Sequence, residues 1–90
     1  MNFLHYDVTV DRNDVIEVAL DKQANVRLVD GANFEKYKKG EHYIYYGGRA
    51  KASPVHLRAP SAGHWHLVVD LGGFPGTVKV SVRIIKDTAE

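Results

Sequence analysis

The feature that most constrains this chain is an alternation of apolar and polar residues with a period of two, repeated along most of its length. Ile16, Val18 and Leu20 alternate with Glu17 and Ala19, Val26 and Leu28 flank Arg27, and Val55 and Leu57 flank His56. Trp65, Leu67, Val69 and Leu71 alternate with His64, His66, Val68 and Asp70. Val78, Val80, Val82 and Ile84 alternate with Lys79, Ser81 and Arg83. The first segment sets Leu4, Tyr6, Val8 and Val10 against His5, Asp7 and Thr9. Successive side chains of a strand point to opposite faces, so this period predicts antiparallel strands with one face on a core. Valine and isoleucine together number sixteen against six leucines, and β-branched side chains suit a pleated sheet. Polar or Gly/Pro-rich stretches separate the runs: 11–14, 21–25, 60–63 and 72–76. The spacing predicts an all-β fold, an antiparallel, jelly-roll-like β-sandwich of about seven strands forming a single domain over residues 1–90.

One stretch departs from the alternation. Asn33-Phe34-Glu35-Lys36-Tyr37-Lys38-Lys39-Gly40 places two aromatics three apart, late lysines and a terminal glycine. This predicts a short helix near residues 32–39, with Asn33 as its cap and Gly40 in the left-handed position after its last turn. The alternate tyrosines of 41–46 are expected to belong half to the core. The last residues, 86–90, read as a frayed tail.

Composition excludes several functions. None of the ninety residues is a cysteine, which removes disulfides, thiol nucleophiles and zinc sites built on thiolates. No apolar run reaches the ~18–20 residues of a membrane span, and the first residues lack the pattern of a secretory signal. A cytoplasmic protein that does not engage membranes is expected. No Gly-x-Ser-x-Gly elbow, P-loop, Gly-x-Gly-x-x-Gly or His-Glu-x-x-His is present, so neither an enzyme nor a cofactor is expected.

The net charge of +1 conceals an uneven distribution. Residues 1–35 hold seven acidic and three basic side chains, whereas residues 36–58 hold six basic side chains and Glu41 alone as the acid. The basic block also carries most of the tyrosines. Tyr37, Tyr43, Tyr45, Tyr46, Arg49 and Lys51 are therefore the candidate contact surface for a protein, carbohydrate or anionic ligand. The near-neutral total argues against a general nucleic-acid binder.

Three of the five histidines are the alternative site. His64 and His66 share one strand face with Asp70. A hairpin closed by Pro60-Ser61-Ala62 would set His56 across from His66, giving a surface site for zinc, nickel or copper built from His56, His64, His66 and Asp70. A connection that crosses between the two sheets would instead separate His56 from His66. Pairing of an exposed strand edge with a second copy is a further alternative. Trp65, in phase with Leu67, Val69 and Leu71, is expected in the core.

Asn25-Val26-Arg27-Leu28-Val29-Asp30, Asn33-Phe34-x-x-Tyr37-x-x-Gly40, Tyr45-Tyr46-Gly47-Gly48, Ser53-Pro54-Val55, Gly63-His64-Trp65 and Val69-Asp70-Leu71-Gly72-Gly73 run over nearly the whole chain. Together they resemble a bacterial domain-of-unknown-function family of small all-β proteins, found alone or fused to other domains, TIR signalling domains among them. More loosely, they are similar to jelly-roll sandwiches that accompany secreted peptidases. The resemblance implies an all-β sandwich and, through the signalling fusions, a sensing or recruitment role; it carries no catalytic residue and no cofactor.

Overall fold

A computed structural model describes residues 3–86. The expected tail at 87–90 lies outside the described residues. Seven strands and one helix follow in the order β1 (Phe3–Val10), β2 (Val15–Leu20), β3 (Ala24–Val29), α1 (Gly31–Lys39), β4 (Tyr46–Ala50), β5 (Val55–Leu57), β6 (Gly63–Asp70) and β7 (Val80–Ile85). They form two antiparallel sheets, one ordered β1-β6-β3-β4 and the other β5-β2-β7. The all-β sandwich read from the alternation is the fold. Among the described residues no helix is long and apolar enough to cross a membrane.

Inward residues of both sheets meet in the main core: Val8, Val10, Ile16, Val18, Ala24, Val26, Leu28, Trp65, Leu67 and Val69. Ile16, Val18, Val26, Leu28 and Leu67 are wholly buried. Each such side chain contributes about 1.5–3 kcal/mol relative to leaving it in water. Trp65 packs here as its phase required, and its indole N–H donates to the Ser61 carbonyl at 3.0 Å.

A second, smaller core lies on the far side of the four-stranded sheet, where Val29 and Val68 are covered by Phe34 and Tyr37 of α1. The two middle strands, β3 and β6, are thus buried on both faces towards their C-terminal ends. The helix cap lies three residues earlier than expected. Asp30, not Asn33, is the N-cap, and its carboxylate accepts from the Asn33 backbone N–H at 2.8 Å and from the Asn33 side chain at 2.9 Å. Asn33 in turn accepts from the backbone N–H of Ile44 at 2.8 Å, tying the chain after the helix to its first turn. Gly40 takes the left-handed conformation, φ 74°, and its N–H closes the last turn as expected.

The strands are connected almost entirely by crossings between sheets. Only the β3–β4 connection, which carries α1, begins and ends in the same sheet. Of the two connections left open between residues 56 and 66, the chain takes the crossing between sheets and not the hairpin. β5 pairs with β2, so His56 lies opposite Glu17, while β6 lies in the other sheet between β1 and β3. Residues 41–45 are irregular and strand pairing begins at Tyr46; of the tyrosines expected half in the core, Tyr43 packs against the second core while Tyr45 and Tyr46 are exposed.

Candidate functional site

Antiparallel pairing of β1 with β6 brings two distant His-containing segments together. The register sets Asp7 opposite His66, His5 opposite Val68 and Thr9 opposite His64. His5 and Asp7 are two apart on β1, and His64 and His66 are two apart on β6, so all four side chains emerge on one face. That face is the one the helix partly covers.

The three imidazoles converge on a single carboxylate oxygen of the fourth side chain. Asp7 Oδ1 lies 2.9 Å from His64 Nε2, 3.3 Å from His66 Nδ1 and 3.6 Å from His5 Nε2. His5 Nε2 and His66 Nδ1 are 2.8 Å apart, a hydrogen bond that requires one imidazole to donate and the other to accept. Their rings stack on one another and on Phe34: His5 at 4.2 Å and His66 at 4.6 Å between centroids, with His64 stacked on His66 at 4.9 Å. Phe34 of α1 therefore forms one wall of the cluster, and the Lys38 ammonium lies 4.7 Å from the centre of the Phe34 ring.

Electrostatics follow from this arrangement. The hydrogen bond from His64, reinforced by the charge His5, His64 and His66 can carry, holds the Asp7 carboxyl below its ordinary range. His66 is displaced in the opposite chemical sense. Its partial burial, and then the positive charge available on His5 and His64, lower its pKa and favour the neutral imidazole. Neutral imidazole is the form that coordinates metals.

His5, Asp7 and His66 offer three ligand atoms mutually within 4.8 Å. Their separations of 2.8, 3.3 and 3.6 Å bracket the ~3.4 Å edge of a tetrahedron with zinc–ligand bonds of about 2.05 Å. His64 lies outside that trio and bonds the same Asp7 Oδ1, restraining the carboxylate. Two of the expected ligands, His64 and His66, therefore belong to the cluster. His56 does not: it sits on the other sheet, 3.1 Å from Glu17. Asp70 shares the face of His66 but is committed elsewhere. His5 and Asp7 were read from the sequence only as outward residues of the first strand. Their His-x-Asp spacing, matching His64-x-His66, was the signal.

Asp70 is 3% exposed and lies at the centre of a second polar group. It accepts from the Tyr37 hydroxyl at 2.6 Å, the Asn25 side chain at 2.9 Å and the Gly72 N–H at 2.8 Å, with the Arg27 guanidinium 3.6 Å away. Burial pushes its pKa up, but these hydrogen bonds and the Arg27 charge outweigh it and hold the carboxyl below its ordinary value. Burial, with the Asp70 carboxylate beside it, drives the Tyr37 phenol well above the usual tyrosine range. Tyr43 packs edge-on to Tyr37, Tyr45 leans on Tyr43, and Arg27 lies 5.0 Å from the Tyr45 ring centre.

The six expected contact residues are distributed over different places. Tyr37 is buried, whereas Tyr43 and Tyr45 extend the Arg27–Asp70 group towards solvent. Tyr46 meets the edge of Trp65 at 6.1 Å. Arg49, further along β4, donates to Gln23 at 3.0 Å, and Lys51 is exposed just beyond the strand.

A family model for a domain of unknown function (DUF1883) matches residues 1–88. No curated protein and no solved structure matches the chain.

Proposed function

The chain belongs to the DUF1883 family, and because that description names no activity, we propose from the chain's own side chains that it is a non-catalytic binding domain holding a divalent transition metal at His5, Asp7 and His66. The observation that carries the reading is the convergence of His5 Nε2, Asp7 Oδ1 and His66 Nδ1 within 4.8 Å on neighbouring strands. Two imidazoles and one carboxylate suit zinc and its neighbours nickel and copper, and three protein ligands leave a coordination position open to solvent or a partner's donor group. His64 supports the ligand set by fixing Asp7, and Phe34 restrains the two ligating rings from the helix side. Chemistry on a bound substrate is not part of the proposal. The other polar group nearby, around Asp70, has its oxygens taken up by Tyr37, Asn25 and Gly72.

Calorimetric titration of the protein with zinc chloride tests this. One equivalent is expected to bind with a dissociation constant in the micromolar range or tighter. His66→Ala and Asp7→Asn should each weaken it at least tenfold, and His64→Ala by about 10–100-fold if it acts by orienting Asp7. His56→Ala should leave it unchanged. Absence of binding below millimolar zinc, or an equal loss with His56→Ala, would overturn the assignment.

A further inference from the structure

The two sheets of the sandwich present four edges, β1 and β4 on one and β5 and β7 on the other. Exposed edges pair with other chains unless they are short, interrupted, charged or covered. Three of the four are protected in these ways. β5 is three residues long and follows Pro54. β4 is five residues long, contains Gly47 and Gly48 with φ of 107° and 151°, and carries Arg49. β7 bears Arg83, with Lys79 just before it and Lys86 just after. β1 has the fewest of these devices: its one charged side chain, Asp7, is bonded to His64 on the neighbouring strand. β1 is eight residues long, has no lysine, arginine, proline or glycine, and pairs only on its β6 side among the described residues.

We infer that the free edge of β1 pairs antiparallel with β1 of a second copy, about a two-fold axis at Tyr6. The choice of a second copy rests on self-complementarity, since a two-fold interface requires residue i to meet j while j meets i. In an antiparallel ladder, hydrogen-bonded and non-hydrogen-bonded pairs alternate, so facing residues of two identical strands must be an even number apart. Two registers centre on the strand. One places Asp7 on the axis, opposite the partner's Asp7, and sets two like charges face to face. The other places Tyr6 on the axis and sets His5 opposite the partner's Asp7 on both sides of it. On the opposite face that register sets Leu4, 38% exposed, against the partner's Val8. Avoidance of the Asp7–Asp7 repulsion and the apolar contact both select Tyr6. The resulting dimer has one continuous eight-stranded sheet, with the two imidazole–carboxylate clusters side by side across the axis.

The inference does not depend on metal and is tested with chelator present. By light scattering or sedimentation equilibrium at hundreds of micromolar, the protein in EDTA should have twice the 10.1 kDa chain mass. Leu4→Lys places a charge at the interface on an already exposed side chain and should weaken the dimer at least tenfold. The chain has no cysteine, so one introduced thiol reports the register. Facing Cα atoms about 4.5–5.5 Å apart fall within disulfide reach. Tyr6→Cys treated with oxidised glutathione should form a covalent dimer that dithiothreitol releases, and Thr9→Cys should not. A mass of 10.1 kDa at every concentration would overturn the inference, as would cross-linking of Asp7→Cys in preference to Tyr6→Cys. Circular dichroism of each variant separates loss of pairing from loss of fold.

Discussion

Replacing Asp70 by alanine is expected to cost about 3–5 kcal/mol, the range seen when one partner of a buried charged network is removed. The carboxylate is 3% exposed and is the shared acceptor for Tyr37, Asn25 and Gly72, with Arg27 close by. Without it a phenol, an amide and a backbone N–H lose their acceptor together, and each unsatisfied buried donor costs about 1–3 kcal/mol. Arg27 already has a buried Nε without a hydrogen-bond partner, so it cannot absorb further loss easily. Against a total stability of ~5–15 kcal/mol, the effect should be plain in a urea denaturation curve. The pH dependence has a definite sign. A carboxyl held below its ordinary value in the folded state adds stability that is fully present above the unfolded pKa, ~3.9. That stability is lost as pH falls through the lower, folded value. The wild type should therefore lose stability between about pH 4 and the acid limit more steeply than Asp70→Asn, which has no charge to lose. Equal slopes for the two proteins would contradict the network's role.

Gly47→Ala is expected to be nearly as damaging, by about 3 kcal/mol or more, because steric displacement adds to backbone strain. Gly47 has φ 107°, and a Cβ built on it would lie 2.4 Å from the Val26 carbonyl oxygen. Val26 is wholly buried in β3, the strand that holds β4 in the sheet, so relief requires one backbone to move away from the other. Gly48 is the control. Its φ is 151°, but its Cβ would meet nothing within 4 Å. Gly48→Ala should cost only the conformational penalty, about 1 kcal/mol. The difference between the two midpoints in urea is expected to come chiefly from the clash, and similar midpoints would exclude it.

The strands were legible because a period of two is a local property. Ile16, Val18, Val26, Leu28, Leu67 and Val69 announced their inward face without any knowledge of neighbours. The second core was visible only as a broken rhythm. Val29 follows Leu28, and Val68 stands between Leu67 and Val69, each filling a position that alternation reserves for a polar side chain. Such an apolar residue on the outer phase means that something covers that face, here Phe34 and Tyr37. Strand partners were not legible, because pairing is decided by the packing of whole sheets. Asp7 meets His66 across fifty-nine residues of sequence, and no local pattern encodes that meeting. A short turn would set His56 beside His66 and a crossing would part them; the local sequence allows both, and the chain crosses to the other sheet. The helix cap shows the same limit on a smaller scale. Asp30 and Asn33 are both good caps, and the structure uses the first as acceptor and the second as a bridge to Ile44.

Helix α1 is only nine residues long, yet Phe34 and Tyr37 sit one turn apart on its buried side. One is stacked on the imidazoles of His5 and His66, and the other is bonded to Asp70. A rotation of the helix about its own axis by even a fraction of a turn would slide Phe34 off the rings and draw the Tyr37 hydroxyl from its acceptor in the same movement. The two polar groups share a single mechanical bearing. Tightening one of them is expected to slow the opening of the other, and slower exchange of the α1 amides with solvent would report it.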